Sequence, residues 1–122
     1  MPLRCVIVDD NPGFLNAARL LLEQEGLQVV GVATSGDEAV RAVAELRPDV
    51  TLLDIDLGAE SGFDVARRLA DDREPGPGRL ILISTHSEED LVDLIKESPA
   101  IGFLGKPSLS ATTIMGLLET PG

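Results

Sequence analysis

The chain has 122 residues, of which 43% are hydrophobic and 25% charged. That is the composition of a single globular domain with its own core, since domains cluster at roughly 100–150 residues. Acidic residues outnumber basic ones 21 to 10, for a net charge of −11. This argues against direct nucleic-acid binding, which wants a basic face, and suits a cation or a basic partner.

No apolar run approaches the ~18 residues of a membrane span. Met1-Pro2-Leu3-Arg4 leads straight into a strand-like run, so no leader peptide is expected. Cys5 is the only cysteine, so no internal disulfide can form. That fits a reducing, cytoplasmic setting. Cys5 itself reads as small core filler. The aromatics are Phe14, Phe63 and Phe103, too few for a stacking site for bases or flavins.

In chain order, short apolar runs alternate with amphipathic stretches. Leu3–Val8 is apolar apart from Arg4 and ends in Asp9-Asp10. Pro12–Glu25 carries apolar residues at helical spacing and stops at Gly26. Gln28–Ala33 is a second strand. Ser35 and Glu38 form a capping box for a helix to about Leu46, before Pro48. Val50–Leu53 is a third strand and Gly62–Ala70 a helix. Residues 71–78 are rich in proline and glycine and read as a loop.

Leu80–Ser84 is a fourth strand. Ser87 caps a helix to Ser98, and the acids Glu88, Glu89 and Asp90 favour its first turn. Ile101–Leu104 is a fifth strand and Ser110–Glu119 a last helix. Five β/α units with continuous apolar strands predict an α/β fold, a doubly wound parallel sheet with helices on both faces.

Sites in such sheets lie at the carboxyl ends of the strands. Here those ends carry Asp9 and Asp10, then Asp54-Ile55-Asp56, then Ser84-Thr85-His86, then Lys106-Pro107. No glycine-rich phosphate loop follows the first strand. Clustered carboxylates need a counter-charge: two unit charges ~4 Å apart repel by about 4 kcal/mol at an effective dielectric of 20. Oxygen-only ligands favour Mg2+, or Mn2+, over zinc. Lys106 adds a point charge for a phosphate oxygen, and a central carboxylate is a candidate nucleophile.

These pieces, "VIVDDNP", "TLLDIDLGAESG", "LILIST" and "GFLGKP" in that order, resemble the receiver domains of bacterial response regulators, which are CheY-like. The resemblance spans residues 1–122 as one receiver domain with no output domain. It implies a flavodoxin-like strand order 2-1-3-4-5 and a phosphoacceptor switch in a two-component system. Residues Leu27–Leu57 resemble receivers of LuxR/NarL-type DNA-binding regulators, which raises transcription regulation as the output.

By the resemblance, Asp54 accepts a phosphoryl group from a sensor histidine kinase. Asp9, Asp10, Asp54 and the backbone carbonyl of Asp56 hold Mg2+, with Asp9 acting largely through metal-bound water. Lys106 contacts a phosphoryl oxygen. Ser84 and Phe103 form the switch, read out by a state-dependent protein partner or by self-association on the face of the fourth helix, fifth strand and fifth helix. Asp56 and His86 tune the lifetime of the phosphorylated form. The domain is then an enzyme only in catalysing its own phosphorylation and dephosphorylation.

The sequence departs from the family at Gly58, where proline is usual, which implies a more mobile loop. Thr85 is slightly larger than usual, and Asp56 adds charge beside Asp54. Two further readings stay open. "TLLDIDL" also resembles the Asp-x-Asp signature of haloacid-dehalogenase phosphohydrolases, with Asp54 the nucleophile and Asp56 the general acid. Alternatively, the chain is a degenerate receiver used as a protein-binding module.

Overall fold

The computed structural model describes residues 3–71, 78–86 and 88–119. Its five-stranded sheet is parallel throughout. The strands are β1 (Arg4–Val8), β2 (Gln28–Ala33), β3 (Val50–Asp54), β6 (Arg79–Ser84) and β7 (Gly102–Gly105). Between β3 and β6 lies a small antiparallel hairpin, β4 (Asp56–Leu57) and β5 (Glu60–Ser61). The helices are α1 (Pro12–Gln24), α2 (Gly36–Leu46), α3 (Gly62–Asp71), α4 (Val92–Glu97) and α5 (Ala111–Glu119). The sheet order is β2-β1-β3-β6-β7, the expected 2-1-3-4-5.

Strand side chains alternate between two cores, as a period of two demands. Val6, Val8, Leu53, Leu80 and Leu82 face Val43 of α2 and Val65, Ala66 and Leu69 of α3. Cys5, Ile7, Leu52, Ile81 and Ile83 face Leu15, Ala18 and Leu22 of α1 and Ile114 of α5. Because both faces are covered, the strands read as unbroken apolar runs. Burial pushes the Cys5 thiol up to about 12, so it is inert filler.

Helix ends are satisfied by side chains, several from distant elements. Arg4, the break in the first apolar run, donates from its guanidinium to Leu46 O at 2.6 Å and Arg47 O at 2.8 Å. It thereby closes the carboxyl end of α2, where Arg47 is left-handed at φ 47°. Ser35 accepts from Glu38 N as expected, but the Glu38 carboxylate reaches Thr34 N and Oγ1, one residue before the cap. Ser110 and Thr113 exchange two hydrogen bonds at the start of α5. Ala111 N donates to Glu25 Oε1 at 2.7 Å, and Arg79 donates to Leu118 O at 3.2 Å. Caps of this kind contribute about 1 kcal/mol each.

Two expectations change. The helix expected from Ser87 to Ser98 is a 3-10 turn, Glu88–Leu91, followed by the short α4. Leu91 packs against the first core with φ −122°, outside helical geometry, and splits the segment. The capping role given to Ser87, and the interior of the loop expected at 71–78, lie outside the described residues. The segment after Asp54 is a two-residue hairpin, not an open loop. Gly58 takes its first turn position at φ 66°, which a proline could not adopt. Among the described residues no helix is long and apolar enough to cross a membrane.

Candidate functional site

The chain turns its polar residues toward the carboxyl ends of β1 and β3, where successive connections leave in opposite directions. Asp9 extends the β1 ladder by donating its N–H to Ala33 O at 3.0 Å. It is fully buried, whereas Asp10 is exposed. Asn11 N donates to Asp9 Oδ1 at 2.9 Å. The Asn11 side chain then caps α1, accepting from Gly13 N and Phe14 N, with Pro12 in the first turn. Sequence reasoning found Pro12 and missed this cap, which Asn before Pro-Gly signals.

Asp54 closes β3 and is only 4% exposed. Ile55 N donates to Ile83 O, and Asp56 N donates to Asp54 Oδ1 at 3.0 Å. Gly62 begins α3 against the Asp54 backbone; a Cβ there would strike the Asp54 carbonyl oxygen. The hairpin turn leans over Asp10, and a Cβ on Gly58 would lie 3.3 Å from Asp10 Oδ2. Carboxylate oxygens of Asp9, Asp10 and Asp54 all lie within 4.8 Å of one another. Asp56 is exposed and its carboxylate is outside that group.

Lys106 opens the 3-10 turn after β7 and swings over the sheet edge. Its Nζ is 2.6 Å from Asp9 Oδ2 and 3.2 Å from Asp54 Oδ2. Its third neighbour is the Phe14 ring, 4.4 Å from Nζ to the centroid. Ser84 is buried at the end of β6, and its Oγ accepts from His86 N at 2.8 Å. His86 itself is exposed. Phe103 lies inward in the first core. The structure therefore gathers the Asp9, Asp10 and Asp54 carboxylates within 4.8 Å of one another, brings Lys106 against Asp9 and Asp54, and sets Ser84 at the adjacent strand end.

Burial raises the Asp54 pKa to about 6; the nearby Asp9 charge adds to this, and the Asp56 N–H and Lys106 oppose it. Burial disfavours the charge on Lys106, but its contacts with Asp9 and Asp54 outweigh that and raise its pKa. Three clustered carboxylates, two of them against one ammonium, leave the site negative when all are ionised. Asp9 Oδ2 is buried and faces the ammonium without an aligned hydrogen bond from any described residue. An oxygen-only set of three clustered carboxylates with one ammonium to balance it fits a hard divalent cation.

Residues 5–118 match the family model of the response regulator receiver domain. The chain belongs to that family. As a receiver it is a phosphoacceptor signalling domain of a two-component system. The aspartate-x-aspartate stretch at Asp54 is thus part of a receiver, not of a separate phosphohydrolase.

A protein-glutamate methylesterase/protein-glutamine glutaminase of Geobacter sulfurreducens is 33% identical over 107 residues, covering 87% of this chain and 28% of that protein. The receiver thus spans less than a third of that relative. The signal receiver domain of a modulated diguanylate cyclase from Desulfovibrio desulfuricans is 33% identical with a TM-score of 0.79, covering 98% of this receiver and 92% of that chain. The receiver domain of the response regulator NarL from Mycobacterium tuberculosis is 29% identical with a TM-score of 0.82, covering 98% of each. The similarity to NarL agrees with the LuxR/NarL resemblance of residues Leu27–Leu57.

Proposed function

We propose that Asp54 of this receiver accepts the phosphoryl group of a sensor kinase's phosphohistidine, with magnesium bound beside it. The observation that carries this is the buried Asp54 carboxylate, focused between two further carboxylates and the Lys106 ammonium. An Asp54 oxygen attacks phosphorus, the P–N bond breaks, and the imidazole leaves. Asp9, Asp10, Asp54 and the Asp56 carbonyl would hold the ion. When bound, magnesium offsets charge on the phosphoryl oxygens.

Each protein group has a separate task. The Asp56 N–H orients the carboxylate through Oδ1. Lys106 exchanges its Asp54 contact for a phosphoryl oxygen. Ser84 releases the His86 N–H and turns toward the phosphoryl group, and Phe103 follows into the space left. The readout is a protein partner, or a second copy, on the α4–β7–α5 face. There Leu94, Ile101 and Met115 are exposed. An apolar surface that binds one state better supplies the differential affinity a switch needs.

The test is intact-protein mass after incubation with magnesium and acetyl phosphate. The native chain gains one phosphoryl group and Asp54→Asn gains none. Gain by both, or by neither despite magnesium binding, rejects Asp54 as a self-sufficient acceptor; the second result leaves a binding module.

Asp56 and His86 carry exposed groups next to the acceptor and the Ser84 hydroxyl. Both can orient a hydrolytic water. The double variant Asp56→Asn with His86→Ala therefore keeps its phosphoryl group longer. Decay of the mass-shifted species at the native rate would rule out that role.

A further inference from the structure

We propose that Phe14 is a positioning residue for Lys106, its ring face holding the ammonium against Asp9 and Asp54 before a phosphoryl group arrives. This deepens the phosphoryl-transfer reading and rests on it. Lysine carries its charge on a flexible four-carbon stem, so aim has to come from outside the side chain. Two carboxylates contact Nζ, at 2.6 and 3.2 Å. The Phe14 ring is a third contact, with its centroid 4.4 Å away, inside the ~6 Å reach of a cation–π contact.

The ring is itself fixed by the residues that shape the site. Asn11 takes the Phe14 N–H on its side-chain oxygen and gives its own N–H to Asp9 Oδ1. Asp9, Asn11, Phe14 and Lys106 thus form a closed circuit of contacts. Phe14 also packs on the second core, which keeps the ring from swinging out. Phe63 and Phe103, the other aromatics, are buried in the first core. An aliphatic side chain at position 14 would fill the space without attracting the charge.

Two readouts test this on Phe14→Leu, Phe14→Met and Phe14→Tyr. The first is carbon–proton NMR of the lysine ε-CH2 groups in metal-free protein. The chain has only Lys96 and Lys106, so Lys106→Arg assigns the signals. The ring current shifts the Lys106 ε protons upfield in the native chain and in Phe14→Tyr. In the Leu and Met variants they return to the position of a free lysine.

The second readout is the rate of mass gain against acetyl phosphate concentration at saturating magnesium. The maximal rate falls about three- to tenfold in the Leu and Met variants, with the half-saturating donor concentration unchanged. Phe14→Tyr restores it. Native ε-CH2 shifts in Phe14→Leu overturn the proposal, and so does equal slowing in all three variants, which marks a packing defect. A native chain that gains no phosphoryl group defeats the phosphoryl-transfer reading and the kinetic role together. The NMR result then still decides whether the ring holds the ammonium.

Discussion

In metal-free buffer at pH 7.5, Asp54→Asn unfolds at a higher urea concentration than the native chain, and the gap closes toward pH 4. The cause is the buried Asp54 carboxylate, whose pKa rises from 3.8 to about 6, chiefly through burial. Between those values the native state binds more protons than the unfolded state. Stability from this group is therefore complete below about 3.8 and is lost as pH rises through about 6.

Above that range the native chain carries a buried charge that an asparagine amide avoids. The shift sets an upper limit of about 3 kcal/mol, and loss of the Lys106 contact reduces it, so we expect about 1–2 kcal/mol. Other carboxylates titrate in the same window, so the quantity to follow is the difference between the two proteins in EDTA. A difference that stays constant from pH 4 to 8 contradicts this account. With Asp54 among the magnesium ligands, as proposed, adding magnesium is expected to reverse the order, because ligand binding stabilises the native state by mass action and the asparagine variant would lack a ligand.

Lys106→Met has the opposite sign. The methionine keeps much of the stem's volume and removes the ammonium that stands against two buried carboxylates. Removing one partner of a buried pair typically costs about 3–5 kcal/mol. Lys106 keeps 16% of its side-chain surface exposed, so water can reach the pocket and the lower figure applies. The loss shrinks below pH 5, where Asp54 is protonated.

Combining Lys106→Met with Asp54→Asn recovers part of the loss, since the amide no longer needs a counter-charge. Urea midpoints of the four proteins form a double-mutant cycle. Strict additivity, or a loss under about 1 kcal/mol for Lys106→Met alone, would show that the ammonium does not neutralise the pocket.

The regular elements were legible because periodicity reports burial. The runs at Val50–Leu53 and Leu80–Ser84 are too short for buried helices and read as strands covered on both faces, and Asp9, Asp54 and Lys106 followed from where strands end. What escaped was decided by contacts between distant residues. No local pattern shows that Glu60 reaches Gly36 N, that Arg4 closes α2, or that Phe14 lies over Lys106. The β4–β5 hairpin escaped because two-residue strands have no periodicity to read; only Gly58 marked the turn. The acidic run at Glu88–Asp90 suggested a full helical turn, but anchoring of Leu91 on the core decided the geometry.

The two ends of α5 are tied to residues elsewhere in the chain, Glu25 at the end of α1 and Arg79 at the start of β6. α5 is therefore not an interchangeable cassette. A hybrid receiver that borrows this helix from another protein, to redirect the readout, inherits a lone Glu25 and Arg79 unless the graft presents an N–H and a carbonyl at the same places. Recombination boundaries that respect this wiring take α1, β6 and α5 from one parent.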